Sequence, residues 1–171
     1  LAQPTPERIW YIGEAFRSGM SCREIFELTN IDPWFISKFR HLIEIESELL
    51  SKKQINHIDE EFMFILKHNG FSDKQISWAL NISEDIVRDK RFELNVLPVY
   101  KTVDTCASEF SSHTPYHYST YERRLLNLNP NSNFDYNQNE VIPNNTKTSL
   151  LILGGGPNRI GQGIEFDYCC C

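Results

Sequence analysis

The sequence has no long hydrophobic run, no excess of positive charge and no regular cysteine framework. No apolar stretch approaches the roughly 18 residues of a membrane helix, so a membrane-spanning role is excluded. Lysine and arginine number 17 against 23 aspartates and glutamates, a formal net charge of −6. This acidic balance disfavours nucleic acid and anionic membranes as partners.

Cysteine pairing and targeting signals are also missing. Five cysteines, with those at 169–171 adjacent, make no disulfide framework, and we therefore expect a reducing, cytoplasmic compartment. The chain has neither an initiating methionine nor a basic-then-apolar signal pattern. We expect it to be part of a longer polypeptide.

Residues 1–97 contain the start and stop signals of several short helices. This pattern predicts a mainly α fold that begins with a helical domain. Pro6 is a favourable first helical residue after a Thr5 cap, and Gly19 supplies a stop. In this first helix three apolar residues recur at helical spacing and are predicted to face a core: Ile9, Ile12 and Phe16.

Five more helices are predicted downstream. Ser21 and Glu24 form a capping box for the second, and Asp32-Pro33 begins a long third helix with a glutamate-rich outer face. Its predicted core-facing residues are Trp34, Phe35, Phe39, Leu42, Ile43 and Leu49. The later boundaries are signalled by Gly70 at the end of the fourth helix, Ser72 at the start of the fifth and Ser83 at the start of the sixth.

The fifth and sixth helices, over residues 72–88, have the pattern of a helix-turn-helix. DNA-binding versions present a basic, exposed second helix. Here acidic residues offset the basic ones in the second helix: Glu84, Asp85, Asp89 and Glu93 against Arg88, Lys90 and Arg91. The charge pattern predicts a packing role, with no nucleic-acid binding.

Residues 98–126 are predicted to form an extended connector, because Pro98 blocks helix and little periodicity follows. Its aromatic residues are expected to anchor it on another surface. The metal-ligand types in this region are Asp104, Cys106, Glu109, His113 and His117, and their spacing does not match a closed zinc site. Residues 127–147 are rich in asparagine, which predicts a disordered insertion with no catalytic role.

The last stretch, 148–171, predicts the first βα unit of an α/β domain. Leu150 to Leu153 is the apolar run of a buried strand, and Gly154, Gly155 and Gly156 follow at once. No Gly-Lys-Ser/Thr follows, which excludes a Walker-type phosphate loop. The stretch is also a poor dinucleotide fingerprint, since Arg159 stands where the third glycine belongs.

The string Gly-Gly-Gly-Pro-Asn-Arg-Ile-Gly-Gln-Gly-Ile-Glu-Phe-Asp-Tyr-Cys-Cys at 154–170 closely resembles the start of the second synthetase half of carbamoyl phosphate synthetase, large chain. Blocks at 8–17, 28–35, 99–110 and 116–122 resemble the same family in the same order. The resemblance implies a helical oligomerisation domain at 1–97 and the start of a pre-ATP-grasp, Rossmann-like domain at 148–171.

The resemblance also implies roles. The complete enzyme is an ATP-dependent ligase that makes carbamoyl phosphate from bicarbonate, glutamine-derived ammonia and ATP, for pyrimidine or arginine synthesis. ATP and Mg²⁺ or Mn²⁺ act elsewhere in it, so this segment is expected to bind neither and to be inactive alone. The implied partners are the two synthetase halves, a glutaminase subunit or domain, and further copies in a homo-oligomer.

By the same resemblance, residues of the glycine turn line a passage for substrate or intermediate, and none in the chain is catalytic or metal-binding. The passage set is Gly154, Gly155, Gly156, Arg159, Gly161, Gly163 and Glu165. Each has a plain structural alternative: close strand–helix packing for the glycines, and local ion pairs or hydrogen bonds for Arg159 and Glu165. Two other functions stay open, a nucleotide-dependent oxidoreductase built on 150–168 and a non-catalytic helical interaction module.

Overall fold

The computed structural model describes residues 1–107, 109–110, 114, 116–122, 139–141, 148 and 150–151. These residues are mainly helical, as the sequence predicts. The helices are α1 (Arg8–Arg17), α2 (Cys22–Thr29), α3 (Pro33–Lys52), α4 (Glu60–His68), α5 (Asp73–Leu80) and α6 (Glu84–Glu93), with a short 3-10 turn at Ile55–His57. Two strands follow, β1 (Val99–Thr102) and β2 (His117–Thr120).

The first helix begins later than its sequence signals predict. It starts at Arg8, and Glu7 occupies the N-cap without a side-chain hydrogen bond. The predicted start at Pro6 is therefore wrong, and Thr5 contributes only its backbone carbonyl, which accepts the Arg8 N–H at 3.1 Å. Gly19 ends the helix region as predicted, with a φ of 89° that side chains rarely adopt.

Most other helix boundaries follow from local capping chemistry. Ser21 accepts a hydrogen bond from the Glu24 N–H while Glu24 accepts one from the Ser21 N–H, so the predicted capping box is confirmed. Asp32 caps α3 by accepting a hydrogen bond from the Trp34 N–H at 2.8 Å, and Pro33 is the first residue of the helix, as predicted. Ser72 likewise caps α5 by accepting the Gln75 N–H at 3.0 Å.

The long helix α3 is buried on two sides, which the sequence prediction missed. Ile36 packs with Ile12, Ala15 and Ile25 in a small N-terminal core. Ile45 and Leu49 belong to a larger C-terminal core, with residues of α4, α5 and α6. Of the single apolar face predicted for α3, only Leu49 is fully buried, whereas Trp34, Phe35 and Leu42 are exposed. Ile9 of α1 is also exposed, against prediction.

The connector contributes a small antiparallel ladder. β1 pairs with β2, and Val99 lies opposite Thr120 while Thr102 lies opposite His117. The outer edge of β1 is covered by a later segment: Glu140 N–H donates to the Tyr100 carbonyl at 2.9 Å, and the Thr102 N–H donates to Glu140 Oε2 at 2.8 Å. Glu140, which belongs to the asparagine-rich stretch 127–147, therefore lies at the edge of β1.

The aromatic residues of the connector differ in their exposure. Tyr121 packs against the C-terminal core, which matches the prediction. Phe110, Tyr116 and Tyr118 are exposed, and their role as anchors stays a prediction.

The chain divides into two units, Leu1–Glu140 and Val141–Cys171. In the second unit only four residues are described, and none of these lies in a helix or strand. Leu150 and Leu151 are exposed. The rest of the predicted strand, the glycine turn and the following helix start lie outside the described residues, as does nearly all of the asparagine-rich stretch.

Candidate docking groove

A groove runs along α3, between α1 on one side and the α4–α5 region on the other. Its floor is formed by Phe39, Leu42, Ile43, Glu46, Leu49 and Leu50. It contains two adjoining depressions of about 320 and 550 Å³, which share Glu46, Phe71 and Gln75. Because these three residues line both, the depressions form one continuous groove.

Two tryptophans stand at the walls of the groove. Trp10 projects from α1 and Trp78 from α5, with 73% and 71% of their surfaces exposed. Lys74 Nζ lies 5.1 Å from the centre of the Trp78 ring, a cation–π contact. Large apolar side chains held in the open over a concave floor are typical of a surface that another protein segment covers.

An ion pair crosses the middle of the groove and fixes α1 to α3. Arg17 Nη2 lies 2.7 Å from Glu46 Oε2, and Arg17 Nη1 lies 2.6 Å from Glu14 Oε1. The hydrogen bond to Glu46 raises the pKa of Arg17 above its ordinary value, so the guanidinium stays charged. The floor therefore carries a satisfied charge pair among apolar side chains.

The opposite side of α3 is charged and solvated. Arg40 pairs with Glu44 at 3.3 Å on exposed side chains, and the half-buried Lys52 pairs with the exposed Glu48 at 3.1 Å, each pair one helical turn apart. Such pairs contribute little stability and mark a surface in contact with water. Because one side of α3 carries solvated ion pairs and the other an apolar floor, the groove side is the side suited to a partner.

A buried network of ion pairs supports the wall of the groove that the α4–α5 region forms. Asp73, at the start of α5, contacts Lys67 Nζ at 2.8 Å and Arg91 Nη2 at 3.1 Å. All three side chains are nearly buried, with exposures of 11%, 8% and 10%. Burial alone raises the pKa of Asp73, but the hydrogen bonds from Lys67 and Arg91 outweigh it and hold the pKa below its ordinary value.

The same network holds the connector against the helices. Lys67 Nζ lies 5.3 Å from the centre of the Tyr121 ring, and His68 Nδ1 lies 2.7 Å from the Tyr121 carbonyl oxygen. Burial raises the pKa of the Tyr121 hydroxyl. Arg91 also donates to the Val96 carbonyl at 3.2 Å, so one cluster joins α4, α5, α6 and the connector.

The residues that the sequence singles out for a passage lie outside the described residues. These are Gly154, Gly155, Gly156, Arg159, Gly161, Gly163 and Glu165, and their placement stays a prediction. Across the described parts of the chain, no group of three or more metal-ligand side chains is positioned to hold a metal ion. In the same parts, no helix combines the length and the apolar character that crossing a membrane requires.

The comparison with family models decides the family. The model for the oligomerisation domain of the carbamoyl-phosphate synthetase large chain matches residues 1–95, which include all six described helices and the groove. The chain belongs to the carbamoyl phosphate synthetase large-chain family. A second model, for the preATP-grasp domain of carbamoyl phosphate synthase, matches residues 146–171.

Individual large chains are similar over essentially the whole sequence. The carbamoyl phosphate synthase large chain of Nostoc sp. is 50% identical over 171 residues, which is 100% of this chain and 14% of that relative. The large chain of Pseudomonas aeruginosa is 47% identical over 170 residues, 99% of this chain and 14% of its own length. The arginine-specific, chloroplastic large chain of Arabidopsis thaliana is 47% identical, with 100% and 13% covered. The chain thus spans about 14% of the length of these large chains.

The family assignment confirms the resemblance that the sequence motifs indicate. It supports neither alternative, the oxidoreductase or the free-standing interaction module. The groove is a surface feature that the sequence does not predict. The sequence predicts that the apolar stripe of α3 faces a core, whereas half of the stripe is exposed: Trp34, Phe35 and Leu42.

Proposed function

We propose that this chain is the structural centre of a carbamoyl phosphate synthetase large chain, with residues 1–97 mediating oligomerisation and bracing the two synthetase halves. The observation that carries the proposal is that the oligomerisation-domain match, residues 1–95, covers a helical unit with an apolar groove on its surface. A brace between domains requires a rigid body, and the Lys67–Asp73–Arg91 network supplies one.

The complete protein, in this proposal, is the ATP-dependent, glutamine-hydrolysing ligase that forms carbamoyl phosphate in the cytoplasm. ATP and Mg²⁺ or Mn²⁺ bind in the synthetase halves, and a glutaminase subunit or domain delivers ammonia. The product serves pyrimidine or arginine synthesis; the name of the Arabidopsis relative favours the second route in that organism.

Residues 148–171 begin the pre-ATP-grasp domain of the second half, which the match at 146–171 supports. Within it, the glycines at 154–156, 161 and 163, with Arg159 and Glu165, line the passage of substrate or intermediate. Three consecutive glycines leave backbone N–H groups open to a small anion, and an arginine binds carboxylate or phosphate through two parallel hydrogen bonds.

A chimeric enzyme tests the proposal. The corresponding 171-residue segment of the Nostoc large chain, which is 50% identical, is replaced by this chain, and glutamine-dependent carbamoyl phosphate synthesis is measured. Retained synthesis supports an equivalent structural role. A soluble, folded chimera without synthesis contradicts it.

The isolated chain provides the complementary test. Purified residues 1–171 are expected to show no ATP-dependent phosphorylation of carbamate, because the ATP-binding portions of the family lie elsewhere in the large chain. Measurable ADP formation dependent on carbamate would overturn the assignment of this segment as structural.

A further inference from the structure

We propose that Asn139 and Glu140 form a clip on the outer edge of β1. The clip closes residues 123–138 into a loop and fixes the point at which the chain leaves the helical unit. The proposal goes beyond the oligomerisation role and does not depend on it. Its evidence is a set of three hydrogen bonds and one ion pair that these two consecutive residues make with a single strand.

The outer edge of β1 has backbone groups that β2 does not pair. Val103 N–H donates to the Tyr116 carbonyl across the ladder at 2.9 Å. Because the backbone groups of successive residues in a strand point to alternate sides, those of Tyr100 and Thr102 point away from β2. An edge with unpaired N–H and C=O groups is a template on which another segment can pair.

The clip satisfies three of these edge groups. The Tyr100 N–H donates to Asn139 Oδ1 at 3.0 Å, and the Tyr100 carbonyl accepts the Glu140 N–H at 2.9 Å. The Thr102 N–H donates to Glu140 Oε2 at 2.8 Å. Two of the three acceptors on the edge are therefore matched by side-chain oxygens, which occupy the places of the backbone carbonyls of a neighbouring strand. Two residues thus replace a short third strand.

An ion pair strengthens the clip and joins its two ends. Lys101 Nζ lies 3.4 Å from Glu140 Oε1 and 3.5 Å from Glu122 Oε2, and the lysine side chain is only 16% exposed. Both oxygens of the Glu140 carboxylate are therefore engaged, and hydrogen bonds to a charged group are stronger than those between neutral groups. Because Glu122 precedes the segment 123–138 and Glu140 follows it, one ammonium group holds both ends of the loop.

The clip separates the length of the loop from the course of the chain that follows. Glu140 is the last residue of the first unit, and the second unit begins at Val141. Because the clip holds residue 140 on β1, the chain continues from the same point whatever the number of residues in the loop. The entropy lost on closing a loop grows only with the logarithm of its length, so a longer segment weakens the clip little.

The first test measures hydrogen exchange of single backbone amides in the whole chain by NMR spectroscopy. The Tyr100 and Thr102 amides are expected to exchange at least about tenfold more slowly than in an unstructured peptide. Glu140→Ala removes the carboxylate acceptor and is expected to accelerate exchange at Thr102 by about tenfold or more, the effect of losing one charged hydrogen bond. Glu122→Ala, which removes the other partner of Lys101, is the matched control and leaves exchange at Thr102 within about twofold.

The second test changes the length of the loop. Inserting about twenty glycine and serine residues after residue 130 lengthens the segment 123–138 from 16 to about 36 residues. Protection of Tyr100 and Thr102 is expected to fall by only about threefold, because loop closure weakens as the 3/2 power of loop length. The Val103 amide, which is bonded to β2, is the internal reference and is expected to keep its protection in every variant.

Protection of Tyr100 and Thr102 that requires Glu140 and survives the longer loop establishes the clip. The proposal is overturned if both amides exchange as in an unstructured peptide while Val103 is protected, or if Glu140→Ala exposes Val103 equally. Equal effects of Glu140→Ala and Glu122→Ala also contradict it. Protection that increases with protein concentration between about 50 and 500 µM would assign the clip to a second copy and contradict closure within one chain. None of these outcomes alters the oligomerisation role, which sedimentation measures separately.

Discussion

Ile36 and Ile45 are both buried on α3, with exposures of 0% and 5%, although they lie on opposite sides of the helix. Nine residues separate them, which is about 2.5 turns of α-helix. Each isoleucine faces a different core, the small N-terminal one or the larger C-terminal one. Helix α3 therefore contributes to both cores, one on each side of it, and the side of α3 between the two cores forms the floor of the groove.

The two cores are expected to unfold as one cooperative unit. Ile36→Ala and Ile45→Ala each remove a fully packed side chain from a different core, and each is expected to lower the free energy of unfolding by about 2–4 kcal/mol. Leu50→Ala, on the exposed side of the same helix, serves as the control at about 0.5 kcal/mol or less. Urea unfolding followed by far-ultraviolet circular dichroism and tryptophan fluorescence tests the coupling, and separate transitions from the two probes would disprove it.

Removing the charge of Asp73 is expected to be strongly destabilising. Asp73→Asn leaves Lys67 and Arg91 buried without their shared counter-ion, a loss of about 3–5 kcal/mol. Asp85→Asn, which breaks the exposed pair with Arg88, is the matched control and costs less than about 1 kcal/mol. Denaturant titration of both variants checks the difference. Equal effects would show that the buried network contributes no more than a surface pair.

The pH dependence of stability follows from the same residue. The pKa of Asp73 is lower in the folded chain than in the unfolded chain, where the pKa of an aspartate is about 3.9. The contribution of Asp73 is therefore fully present above that value and is lost as the pH falls through the folded pKa. Subtracting the acid unfolding curve of Asp73→Asn from that of wild type isolates it. A difference that grows toward low pH would have the wrong sign for this network.

The segment 123–138 is expected to be dispensable for the fold of the helical unit. Its two flanks meet at one side chain, since Lys101 Nζ lies 3.5 Å from Glu122 Oε2 and 3.4 Å from Glu140 Oε1. A linker of about four glycine and serine residues therefore spans the ends. The shortened chain is expected to keep its helical spectrum and its thermal midpoint within about 2 °C. A large drop would assign a structural role to the segment.

Helix boundaries that depend on neighbouring residues could be predicted from the sequence. The capping box of Ser21 and Glu24, the Asp32-Pro33 start and the Gly70 stop were all predictable, because each depends on hydrogen bonds or backbone angles within one turn. The predicted start of α1 was wrong although it also depends on neighbouring residues. Pro6 suits a first helical turn, but residues 6 and 7 form a separate turn before the helix begins.

Long-range packing was not accessible in the same way. Periodicity predicts one apolar face from Trp34 to Leu49, whereas two separate cores bury the two flanks of α3. The ion pair between Asp73 and Arg91 joins residues 18 positions apart through a tertiary contact that no local pattern encodes. The glycine turn was informative through its resemblance to a family, and its passage role remains a proposal.

The most direct test of the account is sedimentation equilibrium of the wild-type chain at about 1–100 µM, with circular dichroism on the same sample. We expect a helical protein that self-associates reversibly. A helical chain that remains strictly monomeric throughout this range would contradict the central claim, that the helical unit carries a self-association surface.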